Sequence, residues 1–177
     1  MKQKPILQNK NFEVTLLRLC HQLIENHNDF SGSALIGLQP RGIYLAKRIH
    51  GMLSIILKTN SILCGNLDIT FFRDDFRQHN DPLIPSKTEI EFLVENKKII
   101  LVDDVLFTGR TVRSAMDALL QFGRPEKIEL LVLIDRRFSR HLPVEATYTG
   151  KAVDTIASQK VKVEWKETDG EDVVWLL

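Results

Sequence analysis

The chain has 177 residues, 44% of them hydrophobic, so we expect a single domain over residues 1–177 with a sizeable core. Its formal net charge of +1 argues against a protein that coats nucleic acid indiscriminately. No apolar run approaches membrane-spanning length, and the N-terminal residues do not resemble a secretion signal, so we expect a cytoplasmic protein with no membrane partner. Cys20 and Cys64 form no Cys-x-x-Cys motif, and we expect both to be free thiols.

The first predicted element is a helix from Phe12 to His27. Its apolar residues recur at helical spacing and form one stripe that we expect to be buried: Leu16, Leu17, Cys20, Leu23 and Ile24. Arg18 and His21 are three residues apart and therefore share the opposite, solvent-facing side of the helix.

Strands and helices then alternate along the chain. In order, we predict a strand at Ala34–Leu38, a helix from the Gln39–Gly42 loop to about Ile56, strands at about Ser61–Ile69, at Glu89–Val94 and from Ile99, a helix at Val112–Leu120, a strand at Ile128–Ile134, and short strands at Thr147–Val153, Val161–Trp165 and Val173–Leu177. The polar stretch from Arg73 to Ser86 contains Pro82 and Pro85 and is predicted to be a long mobile loop. This alternation predicts an α/β fold with a mostly parallel, doubly wound sheet flanked by helices.

The most informative segment runs from Ile99 to Thr111. An apolar run typical of a buried parallel strand ends in two adjacent carboxylates, Asp103 and Asp104, and is followed by a Thr-Gly-Arg-Thr loop and a helix. Carboxylates accept hydrogen bonds from a sugar diol, and backbone N–H groups at a helix N-terminus bind phosphate. The segment is therefore predicted to bind a sugar phosphate.

Two other interpretations of this segment fit it less well. An ordinary strand–loop–helix, with surface aspartates and Thr108 as the helix N-cap, would account for an isolated Asp-Asp pair, but the complete run is far more restrictive. The sequence contains no Gly-x-x-x-x-Gly-Lys-Ser/Thr pattern, so a P-loop is excluded and ATP hydrolysis is disfavoured.

Three predicted loops follow the carboxyl ends of predicted strands: Gln39–Gly42, Asp103–Arg110 and Asp135–Arg137. In a doubly wound parallel sheet these strand ends meet at one edge, and ligands bind there. We therefore expect the three loops to build one site.

The segment from Ile99 to Thr111 resembles the phosphoribosyl-pyrophosphate (PRPP) signature of the type I phosphoribosyltransferases. Further blocks resemble one family within that group, the bifunctional pyrimidine-operon attenuation regulators and uracil phosphoribosyltransferases: Leu38–Arg48, Leu67–Asp75, Arg124–Ile128, Leu142–Val144 and Tyr148–Lys151. The resemblance extends from about Lys10 to Val163. It implies the type I phosphoribosyltransferase fold, in which a small hood built from terminal segments accompanies the parallel sheet.

This resemblance implies transfer of the phosphoribosyl group of PRPP to uracil, which gives UMP and pyrophosphate. Asp103 and Asp104 are the candidate catalytic residues and are expected to bind the ribose hydroxyls. Arg73 is expected to help neutralise pyrophosphate from a lid, although a charged surface loop is the other interpretation of its segment. The 5′-phosphate is expected to bind the main-chain N–H groups of one loop: Val105, Leu106, Phe107, Thr108, Gly109, Arg110 and Thr111.

The resemblance also implies how the rest of the substrates bind. Arg41 and Gly42 are expected to form the pyrophosphate loop, and Mg²⁺ is expected to arrive with PRPP, without a dedicated protein metal site. Arg136 and the backbone at Val161 are expected to border the base. The segment Asp135–Arg140 departs from the family pattern, which usually has Gly after the Asp-Arg pair, and this departure predicts a reshaped base pocket.

Members of this family bind the mRNA leader of the pyrimidine operon on a basic face formed when two subunits pair. The corresponding candidates are four basic residues, for which a solvated surface is the other interpretation: Arg18, His21, Arg140 and Lys151. Glu145 and Asn26 stand where RNA-binding members tend to carry basic residues, and a carboxylate repels RNA phosphates.

The sequence therefore leaves three functions open. The chain is a uracil phosphoribosyltransferase that can also regulate by UMP-dependent RNA binding, or an RNA-binding regulator with little catalytic role, or a phosphoribosyltransferase for another base such as hypoxanthine or orotate. The resemblance implies a homodimer or a larger homo-oligomer.

Overall fold

A computed structural model describes residues 4–73, 85–156 and 158–177. Its helices and strands follow one another in this order: β1 (Lys4–Gln8), α1 (Asn9–His27), β2 (Ser33–Leu38), α2 (Gly42–Ile56), β3 (Leu63–Leu67), β4 (Lys98–Leu106), α3 (Arg110–Leu119), β5 (Lys127–Arg137), β6 (Tyr148–Asp154), β7 (Val161–Glu164), α4 (Lys166–Asp169) and β8 (Val173–Leu176). No helix in these ranges is both long and apolar enough to cross a membrane.

The larger sheet has the strand order β3-β2-β4-β5-β6, and all of its neighbouring strands are parallel. Alternate residues of its central strands belong to two separate cores, one with α1 and α2 and the other with α3. Helices therefore cover both faces, which is why β2 is buried at every residue and reads as a continuous apolar run. The predicted doubly wound sheet is confirmed.

The smaller sheet is the hood, an antiparallel sheet with the strand order β1-β8-β7. It was predicted from the family resemblance, but β1 was not, because Lys4–Gln8 becomes a strand only by pairing with β8 at the other end of the chain. The fully buried Trp165 follows β7 and contacts Phe12 edge-on, with ring centroids 5.7 Å apart, and Tyr44 at 6.1 Å. These contacts pack the hood against α1 and α2.

The predicted strand at Glu89–Val94 is wrong. Only Glu89 forms a bridge, with Asn66, and the chain then leaves the sheet. Ile90 and Phe92 pack against the core while Leu93 is 80% exposed, so a loop lying over the sheet produced the alternation that suggested a strand.

Three further sequence predictions concern α1, the loop at Arg73–Ser86 and the two cysteines. In α1, Leu17 is exposed and Leu19 is buried instead, so the stripe is rotated slightly from the predicted one. The predicted mobile loop at Arg73–Ser86 falls mostly on residues 74–84, which lie outside the described residues. Cys20 and Cys64 are both free thiols, as expected.

Candidate active site

The loop between β4 and α3 turns on Gly109. This residue is the N-cap of α3 and has φ of +89°, a left-handed conformation that favours glycine. A Cβ there would lie 3.3 Å from the side chain of Val144 and 3.4 Å from that of Leu142. The backbone conformation therefore favours glycine, and the packing behind the loop leaves little room for a side chain.

A cavity of about 230 Å³ lies over this turn. All of the predicted phosphate-binding residues line it: Val105, Leu106, Phe107, Thr108, Gly109, Arg110 and Thr111. Asp103 and Arg73 line it too, so one predicted catalytic carboxylate and one predicted catalytic arginine lie beside the phosphate loop. Val112 and Ser114 complete the lining and were not predicted, because their position follows only from the direction of α3.

Asp103 and Asp104 lie at the end of β4, between the cavity and α2. Asp103 is 8% exposed and accepts a hydrogen bond from the backbone N–H of Asp104 at 2.9 Å. Burial, together with the negative charge of Asp104, raises the pKa of Asp103 well above its usual value, and the positive charge of Arg73 partly opposes this. Burial also raises the pKa of Asp104, against the effect of Arg41, whose Nε lies 3.7 Å from Asp104 Oδ2. The pair is an acceptor site that hydroxyl donors would stabilise.

The predicted pyrophosphate loop lies directly against the acidic pair. A Cβ on Gly42 would collide with the carbonyl oxygen of Val102 and lie 3.0 Å from Cα of Asp103, so glycine lets the N-terminus of α2 approach β4. Arg41 Nη2 donates to the carbonyl oxygen of Val163 and to Asp169 Oδ2, each at 2.7 Å. No sequence pattern pointed to Asp169, which lies 128 positions along the chain from Arg41.

The two predicted base-binding residues have different surroundings: Arg136 is buried against Phe107, and Val161 lies on β7, an edge strand of the hood. Arg136 is 5% exposed, donates to the carbonyl oxygen of Gln159 at 2.8 Å, and lies over the Phe107 ring with its guanidinium carbon 3.9 Å from the ring centroid. Lys160 exchanges both backbone hydrogen bonds with Leu177 across the hood. The N–H and C=O of Val161 therefore point to the other side of β7, the edge on which Val163 binds Arg41.

The basic candidates for RNA binding separate into two places. Arg18 is exposed and donates to the carbonyl oxygens of Thr149 and Gly150, beside Lys151, and His21 is exposed one turn further along α1. Arg140 is elsewhere, at the carboxyl edge of the sheet, where backbone carbonyls and Asp135 occupy its guanidinium. This geometry argues against the predicted RNA contact at Arg140.

Comparison with known proteins decides the family. The family model for the phosphoribosyl transferase domain matches residues 2–168. The chain belongs to the phosphoribosyltransferases. It is 42% identical over 173 residues to the bifunctional protein PyrR of Desulfosudis oleivorans, covering 98% of this chain and 95% of that protein. It is also 42% identical over 177 residues to the bifunctional protein PyrR of Bacillus subtilis, covering 98% and 97%. Within the phosphoribosyltransferases it is thus a member of the PyrR family.

Solved structures of other phosphoribosyltransferases share the fold. A hypoxanthine phosphoribosyltransferase from Staphylococcus aureus aligns with a TM-score of 0.67 at 19% identity, covering 97% of this chain and 90% of that one. The Trypanosoma cruzi hypoxanthine phosphoribosyltransferase in complex with IMP gives a TM-score of 0.68 at 14% identity, covering 98% and 89%. At these identities the likeness shows the fold alone, and it confirms the type I phosphoribosyltransferase fold.

Proposed function

We propose that this phosphoribosyltransferase converts uracil and PRPP to UMP and pyrophosphate. The observation that carries the proposal is a cavity lined by a phosphate-type loop and by Asp103, whose neighbour Asp104 faces Arg41, in a chain whose relatives are named bifunctional PyrR proteins. Ribose hydroxyls then bind the Asp103 and Asp104 carboxylates, and the 5′-phosphate binds the loop amides.

The charges around the cavity suit this reaction. As the bond from the anomeric carbon to pyrophosphate breaks, positive charge develops on the ribose and negative charge on the leaving group. In this proposal Asp103 and Asp104 face the ribose, and two nearby arginines supply positive charge for pyrophosphate: Arg41, beside Asp104, and Arg73, in the cavity lining. Uracil N1 forms the new bond to the anomeric carbon, and its proton passes to the leaving pyrophosphate, directly or through water. A rigid hold on both ends of the sugar keeps the anomeric carbon in line.

For uracil binding, the proposal depends on the edge of β7 opposite the one that pairs with β8. Uracil presents O2, N3–H and O4 along one edge, and main-chain N–H and C=O groups such as those of Val161 are matching partners. Arg136 and Phe107 form a stacked pair beside the phosphate loop and border this region. Uracil is our choice over hypoxanthine or orotate because the relatives at 42% identity carry the PyrR name.

Mg²⁺ enters this proposal with PRPP. Within residues 4–73, 85–156 and 158–177, no group of three or more His, Cys, Asp or Glu side chains could hold a metal ion. Pyrophosphate oxygens and water would therefore supply most of its ligands, as is usual for Mg²⁺. When bound, the ion neutralises negative charge on the leaving pyrophosphate.

A turnover assay tests the enzyme function. Purified protein is incubated with PRPP, Mg²⁺ and uracil, and in parallel with hypoxanthine or orotate, and pyrophosphate and nucleotide are measured. We expect UMP with uracil and little product with the other bases. Absence of pyrophosphate at high protein concentration would eliminate the proposal, and preference for another base would change the substrate while keeping the reaction.

RNA binding is a second proposed function, favoured by the grouping of exposed Arg18, His21 and Lys151 on the α1–β6 face. We propose that this face binds a pyrimidine-operon mRNA leader when UMP is bound. The test compares a leader RNA with a scrambled RNA at several salt concentrations. Equal affinity for the two RNAs would leave catalysis as the function.

We further propose that the chain acts as a single-domain subunit of a cytoplasmic homodimer or larger homo-oligomer. Its free Cys20 and Cys64 suit a reducing compartment. Light scattering of the purified protein over a range of concentrations tests the assembly, and a monomer at all concentrations would contradict it.

A further inference from the structure

Three consecutive carbonyl groups of the phosphate loop face one neighbouring segment, residues 140–144, which we call the buttress. The carbonyl oxygens of Leu106 and Phe107 both accept hydrogen bonds from Nη1 of Arg140, the first at 3.3 Å. The carbonyl oxygen of Thr108 accepts from the backbone N–H groups of the next two buttress residues at 3.0 and 3.2 Å. The loop is therefore held from one side through its acceptors.

This arrangement also directs the loop's donors. Across a trans peptide bond, the C=O of one residue and the N–H of the next point in opposite directions. Because the three carbonyls face the buttress, the N–H groups of Phe107, Thr108 and Gly109 are directed away from it. All three of these residues are among those that line the cavity. Orientation of the carbonyls thus sets the orientation of the candidate phosphate donors.

Arg140 also ties the loop to the end of β5 and to the far end of the buttress. Its Nε donates to the carbonyl oxygen of Val144 at 3.1 Å, its Nη1 to that of Arg136 at 2.9 Å, and its Nη2 pairs with the Asp135 carboxylate. Val144 is the residue that packs against Gly109. One planar guanidinium therefore spans acceptors from three segments, which a flexible ammonium group does not match.

We propose that Arg140 is a positioning residue for the 5′-phosphate: it fixes the loop carbonyls on the buttress and so keeps three N–H donors aimed into the cavity. The proposal rests on the proposed function and deepens it. Donors that are already oriented lose little entropy when a phosphate binds, so the affinity gained depends on the buttress. Arg140 acts through the loop and does not touch the phosphate.

The test compares the affinities of UMP and uridine, because their ratio isolates the contribution of the phosphate. Calorimetry measures the Kd of UMP, and inhibition of turnover gives the inhibition constant of uridine. In Arg140→Gln we expect UMP affinity to fall about tenfold or more and uridine affinity to change by less than about threefold. Arg140→Lys retains the charge but not the planar fork, so its UMP affinity should lie between those of Arg140→Gln and the wild type.

The matched control is Arg113→Gln, which removes another positive charge near the loop. Arg113 lies on α3, its side chain is 60% exposed and it faces Asp117. We expect both affinities to stay within about twofold of wild type. An equal loss at Arg113 would mean that net charge, and not loop geometry, sets phosphate affinity, and would overturn the inference.

Further outcomes are decisive against the inference. A folded Arg140→Gln protein with wild-type UMP affinity overturns it, as does an equal loss for UMP and uridine. If Arg140→Gln does not fold, Arg140→Lys decides in the same way, and failure of both variants to fold assigns Arg140 to the fold alone. Wild-type protein that does not bind UMP would instead refute the proposed function.

Discussion

Burial sets the chemistry of the acidic pair at the end of β4. Asp103 is almost fully enclosed, whereas Asp104 reaches towards Arg41. Two neighbouring carboxylates with raised pKa values are destabilising for an unliganded protein, because each charge is poorly solvated and repels the other. Such an arrangement is typical of a site whose ligand supplies the missing donors.

Replacing Asp104 tests its role in turnover. We expect Asp104→Asn to lower kcat on the order of 100-fold, because the variant loses a negative charge beside the developing positive charge of the ribose. The fold should survive, since asparagine has the same shape and Asp104 is only partly buried. Initial rates and thermal unfolding measure the two effects.

The control for this variant is Asp117→Asn, an exposed carboxylate on α3 that faces Arg113. Its turnover should match wild type. Unchanged turnover in Asp104→Asn would remove that residue from the catalytic group.

Replacing Asp103 should stabilise the protein near neutral pH. Its folded-state pKa is raised, so the stability of the protonated form is present below the unfolded-state pKa and is lost as the pH rises through the folded-state value. Asp103→Asn stays neutral and keeps the Oδ1 acceptor, so we expect a gain of about 1 kcal/mol and a Tm higher by about 2–4 °C at about pH 7.5.

Thermal unfolding over a pH series measures this gain. The difference from wild type should shrink as the pH approaches about 3.9, where both states of the wild-type side chain take up a proton. A lower Tm at neutral pH would contradict the argument.

At the scale of elements, two ionic contacts connect α4 and its following turn to α2. Asp169 binds Arg41 at the N-terminus of α2, and Glu167 and Asp172 both bind Arg48 about two turns further on, each at 2.7 Å. Only the first contact reaches the pyrophosphate loop. The hood is therefore both packed on α2 and linked to the candidate site.

Asp169→Asn separates these two roles. Asparagine retains an oxygen that can accept the N–H of Trp165, so α4 should persist, but the charge that holds Arg41 is lost. We expect the KM for PRPP to rise by about fivefold, in keeping with an exposed ion pair of about 1 kcal/mol, with little change in kcat.

Glu167→Gln is the matched control, since it weakens the contact with Arg48 and leaves Arg41 in place. Its KM for PRPP should remain at the wild-type value. Steady-state kinetics of both variants decide the point, and an equal rise in KM would show that hood packing alone is responsible.

The sequence predicts what is encoded locally. The run from Ile99 to Thr111 folds as strand, loop and helix because its apolar residues favour a buried strand and Gly109 favours the left-handed turn at the start of α3. Contacts such as Arg41 with Asp169, or Arg140 with the loop carbonyls, depend on segments that meet only in the folded protein. For that reason the sequence alone does not distinguish a basic residue with internal hydrogen bonds, such as Arg140, from one that is free to contact RNA.

At the scale of the whole molecule, the two ends of the parallel sheet differ. The candidate site lies at the carboxyl edge, and the amino edge carries a buried polar network around His27. His27 Nδ1 lies 2.8 Å from Ser33 Oγ, its Nε2 lies 2.8 Å from Glu129 Oε2, and the Tyr148 hydroxyl donates to the same carboxylate at 2.9 Å. This network joins the end of α1 to β2, β5 and β6.

The network should make stability depend on pH. Burial lowers the pKa of His27, although the Glu129 carboxylate partly opposes this. Burial alone would raise the pKa of Glu129, but hydrogen bonds from Lys127 and Tyr148 hold it below its usual value. Both folded-state values are depressed, so this stability is present above the unfolded-state pKa values and is lost as the pH falls through the folded-state values.

His27→Gln tests the histidine's part of this dependence. Below about pH 6.5 the unfolded wild-type chain binds a proton at His27 that the folded protein resists, so wild-type stability falls on acidification. The variant cannot bind that proton and should show a flatter change in Tm between about pH 7 and pH 5, starting from a lower value because the buried hydrogen bonds are altered. His21→Gln, an exposed histidine on the same helix, should follow the wild-type profile. UMP affinity should be the same in wild type and His27→Gln, because the network lies at the opposite end of the sheet from the site. Parallel Tm profiles for the two proteins would show that the network does not couple protonation to folding.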